Sequence, residues 1–149
     1  MPYRLERFKI EHLDNFDHRP EQEADLNWFL KNTDVQRFWL RILPIFTFFH
    51  KDKPIMIFGI QNSGIGTYYP MLFAGRNIDK HRFAVVRCIY DYVEQFVDTD
   101  VRRFEAYVSA TDTQAKRLVQ FFGFEPVGIR RQAGVGGEDQ VIFERLWRK

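Results

Sequence analysis

The chain has 149 residues with 22 Lys and Arg against 20 Asp and Glu, so its formal net charge is +2. This length fits one domain, residues 1–149, that can bury a core without a disulfide or metal staple. A charge this close to zero argues against a nucleic-acid partner. Cys88 is the one cysteine, which excludes an intramolecular disulfide. Its apolar helical surroundings predict a buried, unreactive thiol.

Aromatic residues make up 17% of the chain, including 16 Phe. A dense aromatic core is the default interpretation, and an aromatic interaction surface is the alternative. The segment beginning Met1-Pro2-Tyr3-Arg4 is charged and lacks the apolar core of a signal peptide. The most apolar run, residues 42–49, is interrupted by Pro44 and is too short to span a membrane. We therefore expect a cytoplasmic protein without a membrane partner, in a host cell or in a virus particle assembled there.

The first half of the sequence predicts helices and a strand meander. Alternation over residues 3–10 predicts a strand, and the acidic start of residues 21–31 predicts a helix. Asp34 is predicted to cap a second helix that Pro44 ends. Short polar or Gly-rich links then separate three predicted antiparallel strands, at residues 45–50, 55–61 and 67–74.

The second half predicts a helix packed on a sheet. A wide apolar strip over residues 82–97 is typical of such a helix. A capping box at residues 111–114 begins another helix that runs to Phe122, with a left-handed end expected at Gly123. Three more strands are predicted, at residues 103–108, 126–132 and 141–147. The fold class is α/β: one domain with a mixed twisted sheet, comprising an antiparallel N-terminal meander and a central parallel pair, and helices on both faces.

This element order resembles that of the GNAT (GCN5-related N-acetyltransferase) superfamily. Residues 104–115 and 121–128 are similar to the family's strand, Asn-centred turn, Ala-bearing helix and Gly-Phe step, with Asp112 in place of the Asn. Residues 137–146 are similar to its last strand. In the first half the similarity rests on element order alone. More narrowly, the chain is similar to GNAT-like proteins encoded by bacteriophages and prophages.

The resemblance implies an N-acetyltransferase that transfers an acetyl group from acetyl-CoA to an unidentified amine. In the family, the fourth and fifth strands splay apart and exposed amides of the fourth strand pair with the pantetheine. The start of the following helix holds the pyrophosphate, as helix N-termini bind anions. Carried over to this sequence, the implied cofactor-binding residues are Leu72, Phe73, Ala74, Arg76, Asn77, Ile78, Asp79, Lys80, His81, Arg82 and Asp112.

The sequence departs from the family pattern at the pyrophosphate loop and at one catalytic position. The family loop reads Arg/Gln-x-x-Gly-x-Gly/Ala, and here Asp79 and His81 take the glycine positions. A carboxylate repels a diphosphate, and both side chains would crowd the loop amides. The Tyr that protonates the departing CoA thiolate in the family aligns with Val119, which has no proton to donate. No catalytic residue is assigned, and whether the chain is an enzyme stays open.

A second hypothesis therefore stands beside the enzyme. In it the chain is a non-catalytic GNAT-like scaffold that binds a protein partner, assembles as a homo-oligomer, or joins phage structural proteins in a virion. The aromatic content and the substitutions at Asp79 and His81 favour this hypothesis. Function resides in the site rather than in the fold, so the resemblance does not choose between the two.

The remaining candidates have ordinary structural interpretations. Glu105, Tyr68 and Tyr69 flank the implied cleft and are candidates for contacting an amine, although structural roles are more typical. The four histidines, His12, His18, His50 and His81, lack metal-ligand spacing, so no metal site is predicted. The glycine-rich residues 133–137 lie between two strands and predict a hairpin loop rather than a phosphate cradle.

Overall fold

A computed structural model describes residues 2–34, 36–37, 44–97 and 100–147 of the chain. Within these ranges seven strands, β1 to β7, span Tyr3–Arg7, Phe46–His50, Lys53–Asn62, Thr67–Ala74, Arg103–Ser109, Glu125–Arg130 and Gln140–Leu146. The α-helices given for the same described residues are α1 to α3, and they span Glu23–Lys31, Arg82–Phe96 and Thr113–Phe121. Short 3-10 helices form at Ile10–Asn15, Pro20–Gln22 and Ile78–His81.

Most predicted elements form within a few residues of the expected bounds, and two local predictions are wrong. The first strand ends at Arg7 rather than at residue 10, where a 3-10 helix begins. Helix α3 is capped by Asp112, whose carboxylate accepts from the Ala115 N–H, rather than by a box that starts at Thr111. The second predicted helix, from Asp34 onward, lies largely outside the described residues.

The strands form one mixed sheet in the order β1-β2-β3-β4-β5-β7-β6. Pairings β1–β2 and β2–β3 are antiparallel, as are β5–β7 and β6–β7. The parallel pair is β4–β5, in which Thr67 is opposite Arg103 and Tyr68 is opposite Phe104. The predicted α/β class, with an antiparallel start and a central parallel pair, is confirmed.

The contacts of the chain separate it into two compact units. The first comprises residues 1–60 and 71–97, and the second comprises residues 61–70 and 98–149. No helix in the described ranges is both long and apolar enough to cross a membrane.

The first unit is built on an aromatic and aliphatic core. Phe8, Phe16, Leu26, Phe29, Ile45 and Ile57 are buried together, with Leu13, Met71 and Phe73 packed against them. A second aromatic group forms where Tyr92 of α2 meets the edges of Phe46 and Phe58. The Tyr92 hydroxyl donates to the Pro44 carbonyl at 2.9 Å, so the buried ring keeps its polar end satisfied. Burial raises the pKa of Tyr92 to about 12.

The second unit is organised by the alternation of β5. Phe104, Ala106 and Val108 are buried on one face, where Phe104 meets the edge of Trp147. The residues between them point to the opposite face, as period-two geometry requires. At the start of this strand, the N–H groups of Arg102 and Arg103 both donate to the carbonyl of Gly66.

Two glycines in the loop before β4 provide a matched pair for a stability test. Gly64 and Gly66 have φ of +87° and +83°, a region that costs an L-residue roughly 1–2 kcal/mol. A Cβ at Gly64 meets open space, whereas one at Gly66 lies 2.6 Å from the Arg102 Nε and 3.2 Å from the Asp100 carbonyl oxygen. We expect Gly66→Ala to lower the free energy of unfolding more than Gly64→Ala, as measured by urea denaturation. Equal losses would contradict the close approach at Gly66.

Candidate functional site

Strand β4 has two edges with different partners. Immediately after the strand, the Gly75 N–H donates to the Ile55 carbonyl of β3 at 2.9 Å. Because successive residues of an extended chain direct their polar groups to opposite edges, the groups of Ala74 and Arg76 point away from β3. In the sheet order β4 lies between β3 and β5, so this second edge is the one that the GNAT resemblance assigns to the pantetheine.

Residues 17–22, which we call the edge strap, pair with this second edge. The Arg76 N–H donates to the Asp17 carbonyl at 3.0 Å, and the Arg19 N–H donates to the Ala74 carbonyl at 3.3 Å. The Asp17 carboxylate also lies 3.0 Å from the Arg76 Nε. Arg19 is only 2% exposed, so the middle of the strap is anchored by burial as well as by hydrogen bonds.

The last residue of the strap, Gln22, covers the edge with its side chain. Its Nε2 donates to the Leu72 carbonyl at 2.8 Å, and its Oε1 accepts from the Ala74 N–H at 2.8 Å. In an added parallel strand, the N–H and C=O of one residue, which belong to two consecutive peptide groups, make the same two bonds, one to a carbonyl and one from the N–H two residues further on. Leu72 and Ala74 were both predicted to hold the cofactor. In this structure they bind an amide that belongs to the chain itself.

The third predicted strand residue, Phe73, has a different environment. Its ring packs against the core of the first unit, with its centroid 6.5 Å from that of Phe29. Its side chain therefore helps to hold β4 in place.

The residues after β4 form an ordered turn rather than a glycine cradle. The Ile78 N–H donates to the Gly75 carbonyl at 3.2 Å, and the Lys80 N–H donates to the Asn77 carbonyl at 3.0 Å. Ile78 is 2% exposed and anchors the turn. Around it four charged side chains are exposed to solvent: Arg76, Asp79, Lys80 and Arg82. Helix α2 begins at Arg82, so the positive end of its dipole lies at this turn.

His81 makes its contacts with strands β1 and β2. Its Nδ1 lies 2.9 Å from the Tyr3 hydroxyl, and its ring centroid is 4.5 Å from that of His50. Burial lowers the pKa of His81, and the nearby His50 and Lys80 lower it further. The histidine that replaces the family's second glycine is thus a partly buried, neutral ring in an aromatic contact. Asp79, at the first glycine position, is the exposed side chain of the two.

The β4 edge is compatible with the pantetheine of acetyl-CoA. The two Gln22 contacts, both at 2.8 Å, show that the Leu72 carbonyl and the Ala74 N–H can be bonded by amide groups from outside the strand. Arg82, Lys80 and the α2 N-terminus provide positive charge for a pyrophosphate. The Gln22 carboxamide and the cofactor amide cannot occupy the edge together.

In the second unit, the open face of β5 carries a polar network. Arg103 Nη2 donates to a carboxylate oxygen of Glu105 and to one of Glu144, at 3.0 Å each. The Tyr107 hydroxyl donates to the other oxygen of Glu105, and Tyr69 stacks on the Tyr107 ring at 6.1 Å. Burial, followed by the Glu105 contact, raises the pKa of Tyr107 to about 12. Glu105 is the predicted residue of this face, with a side chain 16% exposed.

Sequence reasoning missed Arg103, Tyr107 and Glu144. The signal was present for the first two, since the charged or polar residues of β5 alternate with apolar ones and so share a face with Glu105. Glu144 is on another strand, opposite Glu105, and that register cannot be read from the sequence. Tyr68, the neighbouring candidate, is 3% exposed and packs against core residues.

Two residues to which the resemblance drew attention, Asp112 and Val119, lie in the second unit. Asp112 is buried, and its Oδ1 accepts from the Ala115 N–H at 3.0 Å, so it serves as the N-cap of α3. Val119 lies half-buried on α3, where the family has its Tyr.

The remaining candidate features of the sequence are the single cysteine, the glycine-rich loop and the metal ligands. Cys88 is half-buried, and burial raises its pKa to about 12, which disfavours the reactive thiolate. The predicted hairpin between β6 and β7 is confirmed, with the Gly134 and Glu138 backbones hydrogen-bonded across it. In the part of the chain that the structure describes, no three His, Cys, Asp or Glu residues are grouped so as to hold a metal ion.

Comparison with known proteins gives a likeness of fold. No protein-family model matches the chain, and no curated protein matches its sequence. A probable acetyltransferase from Staphylococcus epidermidis matches with a TM-score of 0.75 at 16% identity, over 97% of this chain and 98% of that one. Ard1 from Thermoplasma volcanium matches with a TM-score of 0.72 at 9% identity, over the whole of both chains.

A third similar structure contains the cofactor. The Microcin C7 self immunity acetyltransferase MccE, in complex with acetyl-CoA and AMP, matches with a TM-score of 0.59 at 18% identity, over 83% of this chain and 71% of that one. At these identities the comparisons establish the GNAT fold for the chain, and they leave its substrate open.

The contact of His81 predicts a pH dependence of stability. A folded-state pKa below the ordinary value of about 6.5 means that the unfolded chain binds the proton more readily. Stability contributed by neutral His81 is therefore present above pH 6.5 and is lost as the pH falls toward the lowered pKa. We expect His81→Gln to reduce the loss of unfolding free energy between pH 7.5 and pH 5, as measured by urea denaturation.

Tyr3→Phe is the matched control for this experiment. It removes the hydroxyl at the His81 Nδ1 but keeps the ring that buries it, and burial is the main cause of the shift. The control should retain the wild-type pH dependence. If His81→Gln also retains it, the neutral ring does not contribute.

Proposed function

We propose that the chain is an acetyl-CoA-dependent N-acetyltransferase that transfers the acetyl group to an amine. The observation that supports this most directly is the amide-binding edge of β4 at Leu72 and Ala74, which leads within a few residues into the start of α2. The edge lies in a fold that the chain shares with the probable acetyltransferase from Staphylococcus epidermidis over nearly its whole length.

The cofactor contacts would divide between the strand edge and the helix start. The Leu72 carbonyl and the Ala74 N–H would bind the pantetheine through its amide groups, one donating to the carbonyl and another accepting from the N–H. The turn from Asn77 to Arg82 would hold the pyrophosphate, with Lys80 and Arg82 opposing its charge. Bound acetyl-CoA supplies a reactive thioester, and the chain contributes by holding it in a fixed orientation.

Within the second unit, Glu105 is the candidate for contacting an amine. Its carboxylate would attract an ammonium group and accept a hydrogen bond from it. Arg103 and Tyr107 hold both carboxylate oxygens in position. With Val119 at the family's Tyr position, water would protonate the departing thiolate.

A non-catalytic scaffold is the second candidate function. The observation that favours it is the occupation of the β4 edge by the chain's own Gln22. Such a scaffold would bind a protein partner, including the phage structural proteins expected from the sequence, without binding the cofactor.

Calorimetric titration with acetyl-CoA and with CoA tests the enzyme proposal. We expect dissociation constants in the micromolar range, on the order of −8 kcal/mol of binding free energy. Lys80→Glu with Arg82→Glu should weaken binding at least tenfold, because it reverses the charge at the pyrophosphate turn. The matched control is Lys31→Glu with Arg37→Glu, two exposed basic residues at and after the end of α1.

The control pair should bind acetyl-CoA as the wild type does. Equal weakening by both pairs would mean that net charge, rather than the turn after β4, governs binding. A folded wild-type protein that gives no heat up to millimolar cofactor would rule out the enzyme and leave the scaffold.

A further inference from the structure

We propose that Gln22 is an internal competitor of the cofactor, so that its carboxamide must rotate away from β4 before acetyl-CoA can bind. The inference rests on the proposed function, because it concerns the same edge. It adds a regulatory element that belongs to this chain: the binding site is closed by a side chain of the edge strap rather than standing open.

The competition follows from hydrogen-bond capacity. A carbonyl oxygen such as that of Leu72 has two lone pairs, but the Ala74 N–H has one proton to donate. The Ala74 N–H donates this proton to the Gln22 Oε1, and the nitrogen–oxygen distance of 2.8 Å is that of a well-formed hydrogen bond. An amide carbonyl of the pantetheine therefore cannot bind Ala74 while Gln22 remains in place.

The part of the strap able to move is the Gln22 side chain. Backbone bonds join Asp17 to Arg76 and Arg19 to Ala74, and the Arg19 side chain is buried. Gln22 is half-buried and reaches the edge through rotatable side-chain bonds. Rotation of this side chain releases the Leu72 carbonyl and the Ala74 N–H without disturbing the backbone pairing of the strap.

The chemistry of the edge requires a carboxamide at position 22. The group must donate to the Leu72 carbonyl and accept from the Ala74 N–H, and the amide of Gln does both. A carboxylate still accepts from Ala74 but places negative charge against the Leu72 carbonyl. An alanine makes neither contact. Gln22→Ala and Gln22→Glu thus remove both contacts and one contact, respectively.

Gln36 provides the matched control. Its Nε2 also donates to backbone carbonyls, those of Phe29 at 2.8 Å and Leu30 at 2.9 Å. Gln36→Ala therefore removes a carboxamide with comparable backbone contacts from the end of α1 instead of from β4.

The experiment combines calorimetry with CoA and amide hydrogen exchange of Ala74 measured by NMR on the full chain. Without CoA, Gln22→Ala should accelerate exchange at Ala74 and leave Arg76, which is bonded to Asp17, protected. Its affinity for CoA should rise roughly tenfold, as expected from two modest hydrogen bonds less the rotamer entropy of a glutamine. Added CoA should restore protection at Ala74. Gln22→Glu should show an intermediate affinity, and Gln36→Ala should match the wild type.

The outcomes separate this inference from the proposed function. If CoA binds the wild type and Gln22→Ala equally well while Ala74 exchange accelerates, the competitor is refuted and the enzyme proposal stands. Binding to Gln22→Ala but not to the wild type would support both. If neither protein binds CoA, the proposed function fails and the inference with it. Near-UV circular dichroism checks that the variants fold, and Gln22→Glu, which keeps the Ala74 contact, provides the test if Gln22→Ala does not.

Discussion

The site depends on one constraint, that each residue of an extended strand directs its N–H and C=O to a single edge. At the end of β4 this alternation gives β3 the N–H of Gly75 and leaves the Leu72 carbonyl and the N–H groups of Ala74 and Arg76 on the other edge. Ala74 is fully buried, and a buried backbone group without a partner costs as much as a lost hydrogen bond. The edge strap supplies these hydrogen-bond partners within the first unit. The proposed cofactor site uses the same edge.

The turn after β4 shows how substituted glycines can be accommodated. His81 directs its ring to Tyr3 and His50, where burial keeps it neutral, so its side chain has an established contact of its own. Asp79 is on the exposed side of the 3-10 turn. The repulsion of a bound diphosphate therefore comes from one carboxylate, that of Asp79. The basic side chains of the turn and the α2 dipole oppose this repulsion.

Sequence periodicity predicted the elements well because the pattern of apolar residues is local. The long strip of α2 and the strand at Thr67–Ala74 were placed within a residue of their observed bounds. Long-range polar contacts have no such pattern. Gln22 was placed in the predicted helix of residues 21–31, and its contact with a strand 50 residues further along the chain could not be read from that local pattern. Asp112, by contrast, was singled out as the counterpart of a turn Asn, and the structure shows a local helix cap.

The way the strap covers β4 changes along its length, and the cause lies in the sequence. Over Asp17 and Arg19 the covering group is backbone, as in an added strand. At Pro20 the chain turns into a 3-10 helix, since proline suits the first position of a helix and has no N–H to pair. The turn commits the next backbone groups to local bonds, and the Gln22 side chain bonds to Leu72 and Ala74 instead. A permanent closure needs only continued backbone pairing, whereas a side chain can leave by rotation. The Gln22 contact is therefore of the kind that can open, as the proposed competition with the cofactor requires.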